Sequence, residues 1–174
     1  MNTNGLEIER KYLIAMPDQE ELERCAQVSR IVQTYLLHPS PYVTARVRRR
    51  GQEGDWHYYH TEKTRISDRT RIENEREIDR AEYEALLAQA DPERNEIHKL
   101  RWVLPWKGQS FEIDIYPFWD DRAIMEIELE DEEQSVEFPP QIRVLREVTA
   151  DGRYTNSALS KAIPMDELEK GNQK

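Results

Sequence analysis

The sequence predicts an α+β fold organised around an antiparallel sheet, and three observations carry that expectation. Glycine-bearing turns, "GQEGD" and "WKGQS", separate strand-like segments in the manner of hairpins. Inside those segments apolar and charged residues alternate with a period of two. Strands and helices do not alternate regularly, as a parallel sheet would require.

Taken in order, the first strand covers about 6 to 14 and stops before Pro17. "PDQEELERCAQ" follows as a short helix with a Pro-Asp entry. Strands are expected at about 30 to 37, 42 to 50, 56 to 65 and 71 to 78. "DRAEYEALLAQA" is helical, because Tyr83, Leu86, Leu87 and Ala90 fall on one face. Strands resume at about 96 to 104, 110 to 117 and 122 to 130. The tail offers two short helices, "TNSALSKAI" and "PMDELEK", the second opened by Pro164. No linker, repeat or low-complexity tract interrupts the chain, so residues 1–174 read as a single domain, long enough to enclose a core or a cavity.

Only 37% of the residues are hydrophobic while 34% are charged, more charge than an ordinary surface needs. Some of it is therefore expected to point inward. A net charge of −10 argues against a general binder of nucleic acid or membrane surfaces. The lone cysteine, Cys25, has no intramolecular disulfide partner, and neither a secretory h-region nor a stretch of membrane-spanning length occurs. A cytoplasmic protein is expected.

The alternation assigns faces. In "FEIDIYP", Phe111, Ile113 and Ile115 oppose Glu112, Asp114 and Tyr116; in "IMEIELED", Met125, Ile127 and Leu129 oppose Glu126, Glu128 and Glu130. The apolar faces need a cover, which the helices and the tail can supply. Other strands pair Glu7 with Glu9 and Lys11, Arg46 with Arg48, Thr61 with Lys63, Glu75 with Glu77, and Lys99 with Arg101. A single such pair is ordinary decoration on the solvated face of an open sheet. Their joint occurrence on one continuous face points instead to a charged interior. A barrel of about eight strands would hold side chains or one small ligand there. Burying that charge requires opposite charges, a metal ion or a polyanion.

Carboxylate clusters supply the hard oxygen ligands that Mg²⁺ or Mn²⁺ prefer, and Arg and Lys clamp phosphate oxygens. Such a mixture suits a chain of phosphates bridged by metal. Phosphoryl transfer depends on positioning and charge neutralisation more than on a protein nucleophile, so the lack of a nucleophile motif is no objection.

These residues resemble a known family. "EIERK" is similar to the ExExK signature of the CYTH superfamily, the triphosphate tunnel metalloenzymes. It is followed in order by "ARVR", "TEK", "EREI", "KLR", "FEID", "EIELE" and "TADGRYTNSAL", which resemble that family's strand motifs and C-terminal segment across nearly the whole chain.

The resemblance implies an eight-stranded antiparallel β-barrel tunnel with helices packed outside and a C-terminal helical segment. It implies metal ligation by Glu7, Glu9, Glu126 and Glu128, with Asp114 binding the metal or its water. It implies phosphate binding by Lys11, Arg46, Arg48, Lys63, Lys99 and Arg101. Lys11, Glu75, Glu77 and Asp114 form the expected catalytic set, with Glu75 and Glu77 at a second metal or orienting the attacking water. Glu112 and Glu130 match further acidic positions or act as salt-bridge partners. The short chain most resembles compact bacterial members acting on inorganic triphosphate. The expectation is Mg²⁺- or Mn²⁺-dependent hydrolysis of that compound to pyrophosphate and phosphate, by a protein that can form a homodimer. The alternatives are an adenylate cyclase, a thiamine or nucleoside triphosphatase, and a binding module without turnover.

His38, His57, His60 and His98 lack zinc-site spacing, so packing or surface roles are expected. Trp56, Trp102, Trp106 and Trp119 are expected to pack, although any of them could stack a base or thiamine ring. "RVRRRG" is a weak nucleic-acid signal, since alternation sends Arg46, Arg48 and Arg50 to one face and Arg49 to the other.

Overall fold

A computed structural model describes residues 6–168 of the chain. Among the described residues nine strands make one antiparallel sheet: β1 (Leu6–Ala15), β2 (Gln27–Leu36), β3 (Val43–Gln52), β4 (Asp55–Arg65), β5 (Thr70–Ile78), β6 (Ile97–Trp106), β7 (Gln109–Ile115), β8 (Arg122–Glu128) and β9 (Val144–Glu147). Three short helices accompany them, α1 (Gln19–Glu23), α2 (Arg80–Leu86) and α3 (Asn156–Leu159).

The first eight strands close into a barrel in the order β5-β4-β3-β2-β6-β7-β8-β1, because β1 also pairs with β5. That seam is short: Leu6, Glu7 and Ile8 face Ile72, Arg71 and Thr70. Further along the same edge of β1, Tyr12, Leu13 and Ile14 pair with β9, the strand absent from the sequence expectation. The loop after β8 braces the seam from outside. The Glu132 carboxylate accepts from Thr70 Oγ1 at 2.7 Å and Ser67 Oγ at 3.2 Å, and its carbonyl accepts from Arg69 Nη1 at 2.8 Å.

The β3–β4 hairpin needs its glycines. Gly51 has φ +145°, and a Cβ there would lie 2.1 Å from the Asp55 carbonyl oxygen; Gly54 has φ +82°. Side-chain caps start the helices. Asp18 accepts the Glu20 and Glu21 amides at 3.0 and 3.3 Å, and Asp79 accepts the Glu82 amide at 2.8 Å.

Phe111, Ile113, Met125 and Ile127 are buried on the outer face of the barrel, as the alternation predicts. Their cover differs from the expected helical layer. Leu22 of α1 contributes, but Val136, Phe138 and Ile142, from a segment without regular structure, supply much of the rest. Phe138 packs edge-on against Tyr12 at 4.8 Å between ring centroids. Prolines 139 and 140 within this stretch disfavour helix while leaving its apolar side chains free to dock. Elsewhere α2 lays Tyr83 against Tyr58 at 4.9 Å.

The first tail helix forms as α3, but Pro164–Leu168 is not helical, and residues 169 and 170 of that candidate lie outside the described residues. Asp166 instead ties this segment down, accepting from Tyr154 Oη at 3.2 Å and pairing with Arg153 and Arg146 at 3.1 and 3.3 Å. Among the described residues no helix is long and apolar enough to cross a membrane.

Candidate functional site

Inward-facing side chains enclose a cavity of about 390 Å³. Seven basic residues line it (Lys11, Arg46, Arg48, Lys63, Arg65, Arg71, Arg101) and seven acidic ones (Glu7, Glu9, Glu73, Glu75, Glu112, Glu126, Glu128). Among the described residues Tyr35 and Tyr42 are its aromatic lining, and no tryptophan or histidine borders it. The segment after β9 adds Thr149, Ala150, Gly152, Thr155, Asn156 and Ser157.

The structure therefore brings together most of the residues that the sequence singles out. Glu7, Glu9, Glu126 and Glu128 border the cavity, as do Lys11, Arg46, Arg48, Lys63, Arg101 and Glu75. Three residues do not. Glu77 shares the parity of Glu75 but, one residue before the end of β5, is exposed and faces His57 Nδ1 at 3.1 Å. Lys99 and Asp114 share the inward parity of Arg101 and Glu112 but are buried against one another and do not border the cavity. Both Asp114 oxygens are engaged there, Oδ2 by Lys99 Nζ at 2.8 Å and by Arg101 Nη2 at 2.8 Å, and Oδ1 by Arg101 Nε at 2.7 Å. That arrangement differs from the expectation of a carboxylate open to metal or water. Glu73, Arg65 and Arg71 were not singled out. Each has the same parity as a residue that was and lies within the predicted strands: Arg65 two positions after Lys63, Glu73 and Arg71 two and four positions before Glu75.

Most cavity carboxylates are paired with cations from neighbouring strands. Glu7 lies 3.2 Å from Lys63, Glu9 2.9 Å from Arg71, Glu75 3.0 Å from Arg48, Glu112 2.6 Å from Arg101 and Glu126 3.3 Å from Lys11. What remains unbalanced divides by wall. On β3, Arg46 and Arg48 are buried and the Nε of each lacks a partner among the described residues. Burial and the adjacent Arg46 charge pull Arg48 down to about 10. On β8, Glu128 has no ion-pair partner among the described residues, and burial with Glu7 and Glu112 nearby holds its carboxyl above the usual range. Glu7 is likewise raised, first by burial and then by a hydrogen bond with the Glu73 carboxyl. In the closed order β3 and β8 are four strands apart, so the two arginines with unpartnered Nε atoms lie across the barrel from the unpaired Glu128.

The carboxylates of Glu7, Glu9, Glu126 and Glu128 are hard oxygen donors of the kind a divalent cation takes. Among the described residues no three Asp, Glu, His or Cys side chains already converge on one metal-sized point. The donor set therefore fits a cation whose shell is completed by ligand oxygens and water, as Mg²⁺ sites commonly are.

The model of the CYTH domain matches residues 5–157. An inorganic triphosphatase of Nitrosomonas europaea is 33% identical over 159 residues, spanning 91% of this chain and 99% of that protein. A crystal structure of an inorganic triphosphatase superposes with a TM-score of 0.57 at 31% identity, covering 94% of this chain and 98% of the other. A Hippeastrum adenylyl cyclase candidate with a dominant triphosphatase activity shares the fold at 15% identity, with a TM-score of 0.52 over 72% of this chain and 81% of its own.

Proposed function

The chain belongs to the CYTH family, and from that premise we propose that it hydrolyses inorganic triphosphate to pyrophosphate and phosphate with a divalent cation, Mg²⁺ or Mn²⁺. One observation carries the reading: the unpartnered Nε atoms of Arg46 and Arg48 on β3 lie across the barrel from Glu128 on β8, a carboxylate without an ion-pair partner among the described residues. A polyphosphate with a bound cation matches both at once.

In this reading Arg46 and Arg48 fork onto phosphate oxygens, while Lys11 and Lys63 exchange their carboxylate partners for the substrate. Asp114, buried and off the cavity surface, holds Arg101 in one orientation before substrate arrives. Glu7, Glu9, Glu126 and Glu128 would hold the cation, which neutralises phosphate charge and leaves the phosphorus open to water. Glu75, fixed by Thr61 Oγ1 at 2.9 Å and by Arg48, is the placed carboxylate best suited to orient that water. The barrel wall restricts bulk solvent, which strengthens each of these contacts.

An inorganic rather than an organic triphosphate is favoured by the relative, while the aromatic lining of the cavity is limited to Tyr35 and Tyr42 among the described residues. Trp56, Trp102, Trp106 and Trp119 all lie outside the cavity, leaving no indole to stack a base or thiamine ring. The relative at 33% identity is an inorganic triphosphatase. Turnover of inorganic triphosphate, ATP and thiamine triphosphate, with phosphate, pyrophosphate and cyclic AMP measured separately, tests the proposal. Cyclic AMP as the main product, or a preference for either organic substrate, would contradict it.

A further inference from the structure

Asn156 opens α3 and borders the cavity. Its Oδ1 accepts from the Tyr116 hydroxyl at 2.6 Å and from Lys99 Nζ at 3.2 Å. Those donors determine which way the amide points. An ammonium has no acceptor capacity, so an NH₂ group in the Oδ1 position would meet Lys99 donor to donor. The Nδ2 end is thereby turned away from Lys99, and nothing among the described residues accepts its two hydrogens.

Its neighbours have partners elsewhere. Thr155 Oγ1 donates to the Gly152 carbonyl at 3.1 Å and accepts the Ala158 amide at 3.1 Å. Ser157 Oγ accepts from Arg94 Nη1 at 2.5 Å. Across 155–157, Ser157 keeps one hydroxyl hydrogen, since it only accepts from Arg94, while Asn156 keeps both hydrogens of a neutral amide in a cavity whose charged donors are cationic.

We propose that Asn156 Nδ2 donates a hydrogen bond to a phosphate oxygen of the bound substrate while its Oδ1 holds Lys99 in place. The contact rests on the triphosphate reading of the cavity. It joins the substrate to a continuous hydrogen-bonded chain, Asn156 to Lys99 to Asp114 to Arg101, that ends at a phosphate-gripping guanidinium.

Two substitutions separate this role from that of a structural strut. Asn156→Asp keeps the shape and an Oδ1 acceptor for Tyr116 and Lys99, but replaces the donor with a charged acceptor. Asn156→Ala removes both ends. Binding of inorganic triphosphate in Mg²⁺ is measured by calorimetry, and the Asn156 side-chain amide is followed by ¹H–¹⁵N NMR. The expected result is roughly tenfold or greater weakening in Asn156→Asp, a smaller loss in Asn156→Ala, and a downfield shift of the wild-type amide protons on binding. Wild-type affinity in Asn156→Asp with the larger loss in Asn156→Ala, or an unmoved amide signal, would overturn the contact. Turnover is scored apart. Binding with the expected ranking but no hydrolysis contradicts the hydrolase and supports this contact, whereas hydrolysis with an unaffected Asn156→Asp contradicts the contact alone.

Discussion

Arg101 grips Asp114 through two parallel hydrogen bonds, Nε to Oδ1 at 2.7 Å and Nη2 to Oδ2 at 2.8 Å, in a place where the carboxylate is 1% exposed. Burial alone would raise the Asp114 carboxyl, but Arg101 and Lys99 outweigh it and hold the group down at about 2. A carboxylate depressed below its unfolded value of about 3.9 contributes stability above that value and loses it as pH falls through the folded one. Asp114→Asn takes the shared carboxylate from Lys99, which burial already pulls down to about 7, and from Arg101, which keeps only Glu112, at a cost of about 3–5 kcal/mol. Urea unfolding across a pH series should show that gap at full size above about pH 4 and shrinking towards pH 2. A gap that does not change with pH would mean that Asp114 stabilises through shape rather than charge.

Ile127 lies on the outer face of β8, 2% exposed, opposite Phe111 on β7. Ile127→Asp would bury an unpaired carboxylate there and should destabilise the fold by more than about 4 kcal/mol, or prevent folding altogether. Near-native unfolding midpoints for this variant would contradict the assignment of faces.

Glu9→Gln and Glu128→Gln keep the side-chain shape and remove the charge offered to a cation. Each should raise the Mg²⁺ concentration required for half-maximal turnover by roughly tenfold or more. A metal titration that overlays the wild type for both variants would remove these residues from the ligand set.

Arg48→Ala and Lys63→Ala remove charge from the β3 and β4 walls. Both should raise KM for inorganic triphosphate by roughly 10- to 100-fold, with kcat falling as well wherever the contact strengthens in the transition state. Unchanged KM in both variants would place the phosphate chain elsewhere.

Ligand should also stabilise the folded protein. At a concentration about one hundred times its dissociation constant, triphosphate with Mg²⁺ should add about 2.7 kcal/mol, read as a rise in Tm. Glu7→Gln combined with Glu9→Gln should lose most of the metal-dependent part. An identical response in the two proteins would return both glutamates to the status of strand decoration.

Much of this site is legible because β-structure converts sequence parity into direction. Once β1 and β8 are recognised as strands, Glu7, Glu9, Lys11, Glu126 and Glu128 must share a face, and they line one cavity. Parity does not report depth. Glu75 and Glu77 look equivalent in sequence, yet one borders the cavity and the other is exposed beside His57 near the end of β5. Nor does it report saturation: Asp114 has the right parity, but Lys99 and Arg101 occupy both its oxygens. β9 escaped detection because its four residues, "VLRE", are too short to display a period. Asn156 was hidden for a related reason, since its role comes from contacts with Lys99 and Tyr116, 57 and 40 positions away.

Metal-dependent cleavage of inorganic triphosphate is tested most directly by ³¹P NMR of the purified protein with that compound, which observes the bonds themselves. With Mg²⁺ present, the triphosphate resonances should give way to equal amounts of pyrophosphate and phosphate, and with chelator in place of Mg²⁺ they should persist. Triphosphate left intact in the presence of Mg²⁺ and of Mn²⁺ would contradict the account.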